Sequence, residues 1–281
     1  MNFRAINYKG IPVQADILSG IIRLDVDAVD SLRELDRLVR SDQGVASLVI
    51  VVVNSPLYNR GRTVTTIPLA ISVLGFNIVR SLALLAFARS LFSQTRDPQF
   101  RHHIWQHSLL TAIAAQEICQ SLGAEREQDS AFVAGLMHDT GKLLLFTHAR
   151  ERYLQALALC LESGCSSVSA EQRFLGADHC QVGREAVLQW RLPDRFAEYM
   201  ATDWSRPPPN GFADTVLLSL AAANYLIKAS GIGSAQIADA AARGSGLRIL
   251  GVAPEMAERL AQREFVERLF DNDMFKLCAA I

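Results

Sequence analysis

The stretch from Ala131 to Leu145 reads Ala-Phe-Val-Ala-Gly-Leu-Met-His-Asp-Thr-Gly-Lys-Leu-Leu-Leu. It is apolar at both ends and interrupted in the middle by His138-Asp139, Gly141 and Lys142. A run of this kind must be buried, and polar side chains inside it cost stability unless they are bonded, paired or coordinated. The chain therefore has to bring further polar groups to the same point. Neighbouring side chains on a helix diverge by about 100°. An imidazole and a carboxylate can still lean toward one crossing with a second helix, so the run reads as a buried helix from Glu125 to Phe146.

Helical spacing recurs along the chain. Val13 to Asp25 places Ile17, Ile21, Ile22 and Leu24 for a first helix. Asp30 or Ser31 caps the next, with Leu32, Leu35, Leu38 and Val39 in register. Asp42 opens a third segment through Val45 and Leu48 to Val53, where the β-branched run suits a buried strand by propensity alone. Its capped start and its end at Asn54-Ser55-Pro56 favour a helix. Asn59 to Arg62 is a turn, and Thr66 before Ile67-Pro68 starts a helix. Gly75 and Asn77 punctuate the segment before Ile78 to Phe92, and the polar run from Ser93 to Pro98 closes this half.

The second half opens with a helix from Phe100 to Gly123 carrying Trp105, His107, Leu110 and Ile113. Its Ala112, Ala114 and Ala115 allow a neighbouring helix to approach closely. Glu151 to Glu162, Ser169 to Phe174, a helix from His179 with Gly183 on the same face, and Arg195 to Ala201 after Leu192-Pro193-Asp194 follow. Arg206 to Gly211 is a loop, Phe212 to Ser230 a strongly apolar helix, and the tail adds shorter helices including Pro254 to Asn272. The fold class is all-α: an N-terminal helical part over residues 1–97, a helical bundle over 98–230 and a helical extension over 231–281.

With 281 residues, half of them hydrophobic, and a formal net charge of -1, the chain can build a full core and shows no basic footprint for nucleic acid. The apolar stretch from Leu82 to Phe92, bracketed by Arg80 and Arg89, falls short of the roughly 20 residues of a membrane span. The N-terminus lacks a signal-peptide pattern. The five cysteines are odd in number and form no CxxC pair, against structural zinc and a disulfide framework. A cytoplasmic protein is expected.

Several stretches together resemble one family. Arg40-Ser41-Asp42-Gln43-Gly44-Val45, Val53-Asn54-Ser55-Pro56-Leu57-Tyr58 and Thr66-Ile67-Pro68-Leu69-Ala70-Ile71-Ser72-Val73-Leu74-Gly75 are similar to the first half of HDOD domains, the HD-related output domains of bacterial signalling proteins. Trp105-Gln106-His107-Ser108, Gly135 to Lys142, Gly176 to Gly183 and Trp190-Arg191-Leu192-Pro193 follow in family order. The likeness runs over residues 12–210 and leaves the C-terminal part uncovered.

The resemblance implies an HD-type helical bundle and a role in signal transduction, acting on a signalling protein partner or a small regulatory ligand. Catalytic relatives, the HD phosphohydrolases and HD-GYP phosphodiesterases, hold one or two metals. By that likeness His107 matches the first ligand, His138 and Asp139 the defining pair, and His179 a further ligand for a second metal. The chain then departs from the pattern. Asp203-Trp204 stands near the place of a His-His pair, and Asn224 stands where metal-binding relatives have a final aspartate. Amide oxygen is a neutral, poorer ligand than carboxylate for hard cations.

The resemblance thus implies a divalent ion (Fe, Mn, Mg, Ni or Zn) or none, with His107, His138, Asp139, His179, Asp203 and Asn224 as the candidate ligand set and the last two at its rim. In a hydrolytic reading Asp139 and Lys142 are the catalytic candidates, Lys142 sitting over a substrate phosphate. Otherwise Lys142 simply pairs with Asp139, and the His-Asp pair bridges helices. His102, His103 and His148 are expected at the surface. The departures favour a non-enzymatic signalling module, the alternative being a metal-dependent phosphohydrolase or phosphodiesterase acting on a nucleotide.

Overall fold

The structure, a computed structural model, describes residues 6, 15–56, 58, 61, 63–92, 97–272 and 274–276. Every regular element among them is helical, as the spacing of apolar residues predicts. The chain forms two compact units: one of residues 9–94 and 188–193, the other of 1–8, 95–187 and 194–281.

The first unit contains α1 (Ala15–Arg23), α2 (Ser31–Arg40), α3 (Gln43–Val53), α4 (Ile67–Leu74) and α5 (Phe76–Phe92). The β-branched segment is helix α3. Asp42 Oδ1 accepts from the Val45 amide at 3.0 Å, and Leu48, Val49, Val52 and Val53 are buried. A cap of this kind stabilises a helix by about 1 kcal/mol, and burial of one face supplies the rest. Asn54 then closes the helix, its Nδ2 donating to the Ile50 and Val64 carbonyls at 2.8 and 2.7 Å. Asp30 occupies the N-cap of α2 without a side-chain cap bond. The 188–193 segment joins this unit through the Arg191 carbonyl, which accepts from Ser19 Oγ and Arg23 Nη2 at 3.3 and 3.0 Å. Among the described residues no single helix is long and apolar enough to cross a membrane, and the apolar pair α4 and α5 bends by 118°. The expected turn at Asn59–Arg62 and polar run from Ser93 lie largely outside the described residues.

The second unit contains α6 (Pro98–Phe100), a π-helical turn (Arg101–Gln106), α7 (His107–Ser121), α8 (Gln128–Met137), α9 (Thr140–His148), α10 (Arg150–Ser163), α11 (Ser167–Leu175) and most of α12 (His179–Gln189). It continues with α13 (Arg195–Met200), α14 (Thr215–Ala229), α15 (Ala240–Ile249), α16 (Pro254–Leu260) and α17 (Arg263–Asp271). Helices α7, α8 and α14 pack on one another and form its core. The small residues matter here. A Cβ on Gly135 would stand 2.5 Å from the Ala112 Cα, so α7 and α8 meet backbone to backbone.

Four expectations on helix extent need correction. The helix expected from Glu125 to Phe146 breaks at His138-Asp139, where Asp139 takes φ -100° and ψ 12° at the N-cap of α9. The helix expected from Phe100 is π-wound up to His107. The apolar C-terminal helix starts at Thr215, because Asp214 Oδ1 caps it by accepting from the Leu217 amide at 3.0 Å. The segment Pro254 to Asn272 is two helices, parted at Ala261-Gln262.

Candidate metal centre

The two irregularities in the second unit's helices both serve one spot. The π-helical turn ends where α7 begins, at His107, and such turns recur at functional sites because they re-aim the side chains around them. The break between α8 and α9 frees His138 and Asp139 from the 100° divergence of a continuous helix. As a result His107 Nε2, His138 Nε2 and an Asp139 carboxylate oxygen lie within 4.8 Å of one another, all buried. The His107 and His138 ring centroids are 5.3 Å apart.

The hydrogen bonds behind the rings fix what they present. His107 Nδ1 lies 3.1 Å from the Ile232 carbonyl, and His138 Nδ1 2.7 Å from the Gly135 carbonyl. A carbonyl only accepts, so each Nδ1 carries the hydrogen, and in the neutral ring each Nε2 carries a lone pair. Burial holds the His107 imidazole well below its usual range, against the pull of Asp139. The two Nε2 atoms nevertheless face each other at 3.3 Å. Asp139 Oδ2 lies 3.5 and 3.3 Å from them, and Asn224 Oδ1 lies 3.1 Å from His107 Nε2. Atoms converging in this way could hold a cation, and backbone carbonyls behind metal-bound histidines are the usual way of orienting such ligands. The donor set fits a divalent ion.

The surrounding charges are paired. Lys142 is 1 % exposed, and its Nζ donates to Asp139 Oδ2 at 2.7 Å. Burial opposes the charged form of both groups, yet the neighbouring imidazole and the Lys142 ammonium hold the Asp139 carboxyl well below its usual range, and Asp139 holds the Lys142 ammonium up. His179 stands behind the cluster, its Nε2 3.9 Å from Asp139 Oδ1. Its Nδ1 and its backbone amide both contact Glu171 Oε2, at 2.6 and 2.8 Å. Burial works against its protonated form, but Glu171 outweighs burial and lifts the imidazole to about 10.

Of the candidate ligands, the structure thus brings His107, His138, Asp139 and Asn224 together and leaves His179 one step behind. Asn224, expected at the rim, is 1 % exposed in the middle of the cluster. Asp203 is elsewhere: its Oδ1 accepts from the Ser205 amide at 3.0 Å and from Ser205 Oγ at 2.5 Å, closing a surface turn. His102 and His148 are exposed, but His103 is half-buried and its Nδ1 accepts from the Gly233 amide at 3.1 Å. That bond steadies the loop whose Ile232 carbonyl orients His107. Glu171 was not singled out among the candidates. An acid eight residues before His179 is its only trace in the sequence, and tertiary packing alone buries it.

The Glu171–His179 pair gives a pH dependence in the metal-free protein. Between about 6.5, the unfolded value, and about 10 the folded state keeps a proton that the unfolded chain has released. This contribution is fully present below 6.5 and is lost as pH rises, at up to about 1.4 kcal/mol per pH unit. Lys228, pushed down to about 8 chiefly by burial, acts in the opposite sense above that value. The informative window is therefore pH 6.5 to 8. Thermal unfolding across it should show a falling melting temperature in the wild type and a flatter profile in Glu171→Gln.

A family model described as HDOD domain matches residues 11–205. An HDOD domain protein of unknown function from Geobacter sulfurreducens shares 24% identity and a TM-score of 0.70, covering 96% of this chain and 92% of its own. A candidate phosphohydrolase from Shewanella amazonensis SB2B shares 17% identity and a TM-score of 0.66, covering 94% and 92%. A candidate signal transduction protein from Marinobacter aquaeolei VT8 shares 22% identity and a TM-score of 0.71 over 96% of this chain, which spans 59% of that longer protein. No curated protein matches. At these identities the solved structures speak for the fold and not for an activity.

Proposed function

Because the chain belongs to the HDOD family, we propose that it is a regulatory module of bacterial signal transduction whose second unit holds a divalent ion weakly and does not turn over substrate. The observation that carries this reading is the buried contact of Lys142 Nζ with Asp139 Oδ2 at 2.7 Å. The lysine that would lie over a substrate phosphate in a hydrolytic site is spent on neutralising the cluster's only carboxylate. A metal bound by His107, His138 and Asp139, with Asn224 as a neutral fourth donor, would act as Lewis acid toward a phosphate ester. Here the ion would meet a site without net negative charge. The cavity against Lys142 and Glu171 offers ≈ 10 Å³, at most one water.

Asn224 suits a switchable occupancy. Its Oδ1 can face an ion, and with the amide turned over its Nδ2 can donate to the His107 lone pair when the ion is gone. An aspartate could do only the first. Asn224→Asp should therefore raise metal retention through purification about tenfold or more, because it restores a negative charge to a buried site. It should also lower the melting temperature of the metal-free protein. Elemental analysis and thermal unfolding, each before and after chelation, check both. Equal metal content in the two proteins would contradict the assignment of Asn224 to the cluster.

A further inference from the structure

The second unit carries a polar cavity of ≈ 440 Å³ that no part of the metal cluster lines. Lys228, one helical turn after Asn224 on α14, does line it. The residue is half-buried, and its ammonium makes no hydrogen bond or ion pair among the described residues. Burial, together with the Lys142 charge, pushes it down to about 8, and the carboxylates of Asp139, Asp203 and Glu171 offset this only in part. Ser167 and Ser234 add half-buried hydroxyls with no protein partner among the described residues. Arg206 also lines the cavity, its side chain 81% exposed and only loosely paired to Asp203 at 3.7 Å. No carboxylate lines it, and the first turn of α11, which forms one wall, carries no acid.

Two cations and several free donors with no acidic side chain among them make a site for an anion. A lone carboxylate offers about four lone-pair positions, fewer than the hydrogens that Lys228, Arg206 and the two hydroxyls present. A phosphomonoester offers three terminal oxygens and a charge near -2 at neutral pH, which matches the two cations. We propose that this cavity binds the phosphoryl group of a small organic phosphate, with Lys228 and Arg206 neutralising it and Ser167 and Ser234 donating to its oxygens. The volume is that of a small-molecule cleft, so part of the ligand beyond the phosphate is accommodated. The inference rests on the regulatory reading above and names its ligand class, but its binding residues are separate from the metal ligands.

The test is calorimetric titration of the full chain, stripped of metal by chelation, with inorganic phosphate and pyrophosphate as probes. Wild type should bind pyrophosphate, Lys228→Met should weaken binding about tenfold or more, and Lys228→Arg should recover most of it. His138→Ala should bind as wild type does. Should Lys228→Met fail to fold by circular dichroism, Arg206→Gln at the exposed rim decides, with a weakening of about threefold supporting the site and wild-type affinity overturning it. Absence of binding by wild type overturns the proposal. So does binding kept in Lys228→Met and lost in His138→Ala, which would place the anion at the metal cluster. Phosphodiester turnover by the metal-loaded protein would overturn the regulatory reading while leaving a positive Lys228 result in place.

Discussion

His138→Ala is expected to abolish metal retention while leaving the helical fold intact. His138 supplies one of three close donors, with its Nε2 3.3 Å from both His107 Nε2 and Asp139 Oδ2. Removing even a group that only orients a metal ligand costs about 10–100-fold in affinity, and removing the ligand itself costs at least as much. The metal-free protein should tolerate the change, because the substitution also removes one of two lone pairs that face each other without an ion. A ligand present at one hundred times its Kd stabilises a fold by about 2.7 kcal/mol, or roughly 5–10 °C for a unit of this size. Added divalent metal should raise the wild-type melting temperature on that scale and leave that of His138→Ala unchanged. An equal shift in both proteins would mean that the ion binds elsewhere.

Gly141→Ala should be the most destabilising single-methyl change near the site. An added Cβ would stand 2.0 Å from the His179 carbonyl oxygen and 2.9 Å from the His179 Cα. Both are backbone atoms, so no side-chain rotation relieves the clash. Overpacking of this kind costs about 1–3 kcal/mol or more, and the helix propensity gained by replacing glycine returns only about 1 kcal/mol. A net loss of about 2 kcal/mol and a melting temperature lower by roughly 4–8 °C are expected. The same displacement would move His179 away from Asp139, so the pH dependence carried by the Glu171–His179 pair should change as well. Gly44 is the control: a Cβ there meets only Asp42 Oδ1, at 3.2 Å, and Gly44→Ala should be near neutral or stabilising.

The helical character of the chain was legible because apolar spacing and capping residues agree nearly everywhere. Asp42 caps α3 as its position suggests. The meeting of His107, His138 and Asp139 was legible as well, from polar residues set inside apolar runs and from the family likeness. What the sequence did not reveal depends on backbone detail and on distant partners. Periodicity cannot show that α8 ends at Met137 and α9 begins at Thr140, because His138 and Asp139 fit a continuous helix equally well. The Ile232 and Gly135 carbonyls leave no trace in side-chain type, although they decide which nitrogen each histidine presents. Asp203 misled for the opposite reason. Its charge and position match a ligand's, but its carboxylate is taken up locally by Ser205.

Hydrolysis of a generic phosphodiester and of cyclic dinucleotides by the metal-loaded wild-type protein, with His138→Ala alongside, distinguishes a regulatory module from an enzyme. The expected result is metal bound by wild type, little or none by His138→Ala, and the same background rate from both. Metal-dependent turnover by the wild type that disappears in His138→Ala would contradict it, and would make the Asp139–Lys142 pair part of a catalytic centre.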